Sequence, residues 1–226
     1  LKGIVTKPFH KLIMLIEFDN HNLRLQKKMA KKIQKILSNY NVTYVVETEE
    51  DAKEELWKIR HSAAAVIAHS EGNMKALPII EDGVVPVENF EKYLKGVYEI
   101  FARHHLQAAL WGQAGNANIH MQPFLDLSQS GDRQKAFKVR DEDDNMVIKL
   151  GGSTSGEPLD RRLRAPYLRQ LYGDDIYTVF QKVKQIFDPY GTLNPGVKIN
   201  VTLDDIKPLL RHEYSMDHLY NHLPRS

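Results

Sequence analysis

Short apolar runs alternate with segments of helical period along most of this 226-residue chain. That alternation narrows the fold more than any other feature. Residues 11–18 are an apolar run ended by Asp19-Asn20 and read as a buried strand. Leu25, Met29, Ile33, Ile36 and Leu37 then recur at helical spacing, with Lys27, Lys28, Lys31, Lys32 and Lys35 on the outer side. Residues 42–46 read as a second strand, and Thr48-Glu49-Glu50-Asp51 opens a helix carrying Leu56, Trp57 and Ile59 on to Ala68. Residues 77–85 form the next strand, closed by Pro86. Phe90, Leu94, Val97, Tyr98 and Phe101 mark the inner face of the helix after it. Residues 106–111 and 119–125 are strands around a Gly/Asn-rich turn. Residues 132–150 are charged and weakly periodic, which predicts a surface helix closed by Gly151-Gly152. From Asp174 a helix is predicted with Ile176, Val179, Phe180, Val183, Ile186 and Phe187 facing inward, stopped by Asp188-Pro189.

Strands joined by turns mix here with strands joined by helices. The expectation is an α+β fold: a mostly antiparallel sheet with helices on one side. The order recurs twice, so two similar units are expected, although no sequence repeat is visible. Apolar residues are 42% and charged residues 27%, the profile of a chain that folds around a core. The longest apolar runs, residues 12–16 and 63–68, are far short of the roughly 20 residues of a membrane span. With no cysteine, disulfides, thiolate zinc sites, iron–sulfur clusters and a thiol nucleophile are excluded within the chain. A net charge of +2 does not argue for nucleic acid. The lysine face of residues 27–35 and the Arg161-to-Arg164 cluster are offset by acids at 47–55 and 141–144. The chain starts at Leu1 with no basic-then-apolar leader, and is expected to be a piece of a longer protein.

Four segments hold polar and glycine punctuation that packing does not require. They are Trp57-Lys58-Ile59-Arg60, then residues 112–120, residues 151–157 and residues 187–198. Singly each has a plain structural explanation. Trp57 with Arg60 at i, i+3 makes a core tryptophan with a stacked arginine. A lone His120 on a strand is commonly structural, and Gly151 to Glu157 suits either a flexible loop or a nest of N–H groups holding an anion.

In order and spacing, five blocks together resemble the C-terminal domain of the FAD-linked oxidases. These are vanillyl-alcohol oxidase-type flavoproteins that include D-lactate dehydrogenases, the flavin subunit of glycolate oxidase and D-2-hydroxyglutarate dehydrogenase. The blocks are Trp57-x-x-Arg60, Glu81-Asp82-Gly83-Val84-Val85-Pro86, Gly112-Gln113-Ala114-Gly115-Asn116-Ala117-Asn118-Ile119-His120, Gly151-Gly152-Ser153-Thr154-Ser155-Gly156-Glu157, and Phe187-Asp188-Pro189 to Leu193-Asn194-Pro195-Gly196. The resemblance implies a substrate cap of duplicated ferredoxin-like α+β architecture over residues 1–200, with a tail at 201–226. FAD would be held mainly by an N-terminal FAD-binding domain absent from this chain. It implies Arg60 and His120 as catalytic residues, and Arg60 and Asn118 as substrate-binding ones; Arg161 and Arg164, where the sequence departs from the family pattern, are expected to bring cations to the pocket for a more anionic substrate. Asn118 and Asn194 fall at cofactor-contacting positions.

The family's metal ligands, two histidines and a glutamate, correspond here to Gln113, His120 and Glu157. One imidazole has become an amide, a poor substitute toward zinc-like ions, so the metal site is expected to be weak or absent. The family's proton-transferring histidine after the glutamate is Pro158, which transfers no proton. Asn116 and Ala117 replace an aspartate and a glycine, and Leu159-Asp160-Arg161 replaces a glycine-rich stretch. The implied function is oxidation of a 2-hydroxy acid by hydride transfer to flavin at a divergent site. The alternative is a catalytically degenerate cap acting as a noncatalytic interaction module. Expected partners are a small carboxylate substrate and the flavin domain, with no nucleic acid, no membrane span, and a homodimer left open. The expected location is cytoplasmic, with peripheral membrane contact open, and the isolated segment is expected to be inactive.

Overall fold

A computed structural model describes residues 12–68, 72–157 and 162–210. The chain divides into two compact units, residues 1–65 and 66–226. The first holds α1 (Leu23–Leu37) and most of α2 (Glu50–Ala68). Asn22 caps α1, its Oδ1 accepting from Arg24 N at 3.0 Å and Leu25 N at 3.2 Å, which covers two donors that a helix start leaves orphaned. Residues 12–18 and 42–46, expected as strands, pair with no described strand, and Leu12 and Val45 are exposed. Apolar, β-branched composition suits a sheet, but a strand exists only where a neighbour takes its backbone donors and acceptors.

The second unit contains β1 (Lys75–Ala76), β2 (Ile80–Val84), α3 (Phe90–Arg103), β3 (Ala108–Gln113), β4 (Asn118–Leu125), α4 (Ser130–Lys149), α5 (Leu168–Phe187) and α6 (Leu203–Ile206). Its sheet is antiparallel and centred on β4. His120 lies opposite Trp111 of β3 on one edge and Glu81 of β2 on the other. Ala76 of β1 meets Phe124 farther along β4. Alternation along β4 buries Ile119, Met121 and Leu125 and turns His120 and Gln122 to the other face. Ile80, Ile119 and Met121 pack with Tyr93, Val97, Ile100 and Phe101 of α3 and with Val139 and Val147 of α4. Both helices therefore cover one sheet face, an α+β arrangement.

Three expectations are corrected. Phe90, Leu94, Val97 and Phe101 of α3 do pack on the core, joined by Tyr93 and Ile100, while Tyr98 is exposed. The charged α4 is no surface helix: it buries Ala136, Val139, Arg140, Asp143, Asp144 and Val147, and its period is hidden because half of its inward positions carry charge. The helix expected from Asp174 is present, since α5 breaks at Gly173 with φ 78°, yet Ile176, Val179, Val183, Ile186 and Phe187 are exposed. Periodicity identifies a face that favours burial but supplies nothing to cover it. Among the described residues no helix is long and apolar enough to cross a membrane.

Candidate active site and metal centre

The sheet face opposite the helices carries the site. Residues directly opposite in antiparallel strands project to the same side, so Trp111 and His120 share this face, with ring centroids 6.1 Å apart. Residues 113–117 turn tightly between β3 and β4, and Ala117 sits at φ 52° with no exposure. That left-handed conformation costs an alanine roughly 1–2 kcal/mol, which explains why a glycine suits the position in the family pattern.

Asp82 organises the rest. It occupies a bulge in β2 between Glu81 and Gly83, at φ 80°, and is fully buried. Its Oδ1 accepts from Asn118 Nδ2 at 3.0 Å and from Glu157 N at 2.9 Å. Its Oδ2 accepts from Glu157 N at 3.0 Å and lies 3.7 Å from Arg164 Nη1. Residues 151–157 are thus held, not free. Val84 and Ser153 exchange backbone hydrogen bonds at 3.0 and 2.9 Å, and Gly156 N donates to Asp82 O at 3.0 Å. Gly152 and Gly156 permit this approach: a Cβ on Gly152 would come 2.2 Å from Val84 O, and one on Gly156 2.2 Å from Asn118 Nδ2. Of this segment, the Glu157 N–H holds an anion, and that anion is the carboxylate of Asp82.

The result is a convergence of three chain segments. His120 Nε2 lies 3.5 Å from Glu157 Oε2, and one donor atom from each of Asp82, His120 and Glu157 lies within 4.8 Å of the others. An imidazole beside a carboxylate can accept a proton, and with a second carboxylate the three can hold a cation. Asn118 is buried beside them with its Oδ1 unpartnered.

The other residues singled out by sequence fall as follows. Arg60 is half-buried on α2 in the first unit, where the ring lying against Trp57 is that of His61 at 5.7 Å, not the Arg60 guanidinium. Gln113 is exposed at the end of β3, in register with Asn118. Arg164 is buried against Asp82, so its charge supports the segment that carries Glu157. Asn194 is exposed at φ 47°, on a loop built by Asp188, whose carboxylate accepts from Thr192 N and Leu193 N at 2.9 Å each. The Lys184 hydrogen bond, with these backbone donors, holds the Asp188 carboxyl down at about 2. Arg161, Pro158 to Asp160 and the tail beyond residue 210 lie outside the described residues. Asp82 was not singled out by sequence; its one signal is membership of the Glu-Asp-x-x-Val-Pro block.

Comparison with known proteins decides the family. Residues 4–197 match the family described as FAD linked oxidases, C-terminal domain. The chain belongs to that family. It is 30% identical to D-2-hydroxyglutarate dehydrogenase of Haemophilus influenzae over 164 residues, 72% of this chain and 16% of that protein. It is 28% identical to glycolate oxidase subunit GlcD of Bacillus subtilis over 188 residues, 82% of this chain and 39% of the relative. Against D-lactate dehydrogenase of Archaeoglobus fulgidus the figures are 26% over 187 residues, 83% and 38%. The chain of this FAD-linked oxidase C-terminal domain thus spans less than half the length of these relatives. By their names they are oxidoreductases of hydroxy acids, and the family is one of flavoproteins.

Proposed function

We propose that this chain is the substrate cap of an FAD-dependent oxidoreductase that oxidises a 2-hydroxy acid. The cap is read as two related α+β units of ferredoxin-like type over residues 1–200, operating with a flavin-binding domain that grips FAD. Bound flavin supplies the acceptor for the hydride leaving C2 of the substrate. The chain's own residues supply placement and charge. Arg60 binds the substrate carboxylate, for which a planar guanidinium fork is suited. His120, backed by the Glu157 carboxylate, handles the proton of the 2-hydroxyl. Asn118 and Asn194 offer amides toward cofactor or substrate, and Arg161 adds a cation for a more anionic substrate. Arg164 acts through Asp82. The observation that carries this assignment is the 3.5 Å approach of His120 and Glu157 on the helix-free sheet face, positions at which the family pattern has functional residues.

A second reading has its own support. Gln113 and Pro158 stand where the family pattern has histidines, which favours a cap that has lost catalysis and serves as an interaction module. Anaerobic mixing of the flavin-loaded protein containing this chain with a panel of 2-hydroxy acids separates the two. Flavin bleaching by at least one acid is expected, with Arg60→Ala raising its KM about tenfold or more, the loss of a charged hydrogen bond. A folded, flavin-loaded protein that no acid bleaches would leave the noncatalytic module.

A further inference from the structure

We infer that Tyr93 and the Asp143 carboxyl beside it are positioning residues, which brace the β2 bulge from the helix side and so set how Asp82 holds Glu157. The inference rests on the proposed function only for what the bulge serves; its test uses neither substrate nor flavin.

Asp82 keeps φ 80°, a conformation that persists only where its surroundings over-determine it. On the site side, Asn118 Nδ2 and Glu157 N donate to its carboxylate. On the helix side stands Tyr93. A Cβ on Gly83, the next residue along β2, would come 2.1 Å from Tyr93 Oη and 3.1 Å from Val147 Cγ2. The hydroxyl therefore lies directly against the backbone of the bulge, and glycine is what admits it. Tyr93 has no exposure, and its hydroxyl donates to Asp143 Oδ2 at 3.5 Å.

The balance of buried charge keeps a proton on Asp143. Asp82, Asp143 and Asp144 are buried with only Arg140 and Arg164 to offset them. Arg140 Nε lies 3.2 Å from Asp144 Oδ2, and Arg164 Nη1 lies 3.7 Å from Asp82 Oδ2. Among the described residues Asp143 is left without an ion pair, and its Oδ1 has no hydrogen-bond partner. An ionised carboxylate is costly in such a place and a neutral acid much less so. Asp144 opposes its ionisation, while Tyr93 and Arg140 favour it. Asp82, Asp141 and Arg164 act one step removed, on Tyr93 or Asp144. Burial and the Asp144 charge prevail, and the Asp143 carboxyl is raised to about 8. At higher pH it releases its proton to solvent. The hydrogen bond from Tyr93 then becomes charge-assisted, for which about 2.6 Å is the usual length, and the hydroxyl is drawn off Gly83.

NMR of the protein labelled with ¹⁵N-glutamate and ¹³C-carboxyl aspartate, from about pH 5 to about pH 9, tests this coupling. In the parent the Asp143 carboxyl carbon is expected to titrate with a midpoint of about 8, and the Glu157 amide to shift with the same midpoint. Asp143→Asn should remove that step from the Glu157 amide. Any step caused by His120 appears in both proteins and cancels in the comparison. Tyr93→Phe should leave the Asp143 carbon titrating while the Glu157 amide no longer follows it, a separation that a mere packing role for Tyr93 would not produce. An Asp143 ionised throughout the range would overturn the proposal. So would a Glu157 amide that ignores Asp143 in the parent, or a step that survives Asp143→Asn or Tyr93→Phe. The parent and Asp143→Asn titrations decide the matter by themselves where Tyr93→Phe does not fold.

Discussion

Helices α4 and α5 are each 20 residues long, and they invert the usual relation between side-chain character and burial. The charged α4 is packed into the core, with Arg140, Asp143 and Asp144 each 5% exposed or less. The more regularly amphipathic α5 leaves Ile186 and Phe187 at 74% and 78% exposure. Burial follows from what stands opposite, not from hydrophobicity alone. Within α4, Arg140 Nε lies 3.2 Å from Asp144 Oδ2; from other elements, Ile79 O accepts from Arg140 Nη1 at 2.7 Å and the Tyr167 ring lies 5.3 Å beneath its guanidinium. Arg140 and Asp144 are buried as an ion pair, whereas Asp143 is reached by Tyr93 Oη at 3.5 Å and its Oδ1 has no hydrogen-bond partner. The Tyr172–Phe180 ring pair on α5 is internal to the helix, and Asn200 reaches the helix through Tyr177 and Gln181.

The strongest way to break this contrast is Arg140→Ala. Removing one member of a buried ion pair strands its partner and costs about 3–5 kcal/mol. Urea unfolding should show that loss as a lowered midpoint with an unchanged slope. A variant as stable as the parent would mean that the charges of α4 do not hold it in place.

A smaller effect is expected from pH. Burial, reinforced by the Asp144 charge, raises the Asp143 carboxyl to about 8, and burial raises Asp144 to about 6. Both bind their protons more tightly folded than unfolded. Their contribution is therefore fully present below about pH 4 and declines as pH rises toward 8, because the unfolded chain releases protons that the folded chain retains. A fall in stability between pH 5 and 8 is expected, and Asp143→Asn should flatten most of it. Parallel stability curves for the two proteins would remove Asp143 from the explanation. Tyr93, whose hydroxyl donates to Asp143 at 3.5 Å, is pushed well above its ordinary value by burial and stays protonated throughout this range.

What could be read in sequence divides along the same line. The 77–85, 106–111 and 119–125 strands and the helix after Pro86 were legible, because apolar alternation and turn residues are local signals. His120 and Glu157 were legible through the motif blocks. Asp82 was not, because its role depends on a bulge at φ 80° and on a loop 75 residues away, neither of which leaves a local pattern. The burial of α4 was hidden for a related reason: its partners, Ile79 O, Tyr93 and Tyr167, come from other elements. Residues 12–18 and 42–46 have strand composition, yet no described strand lies beside them.

The least expected effect is the sharpest probe of α5. Phe187 ends a helix whose apolar stripe is exposed, so Phe187→Ser should change stability by less than about 0.5 kcal/mol, the range of surface substitutions. The same truncation at a core aromatic would cost several times more. Urea midpoints measured on the same chain decide between them. A loss above about 1.5 kcal/mol would mean that the stripe is covered in solution, so that α4 and α5 differ in where their partners come from and not in whether they have any.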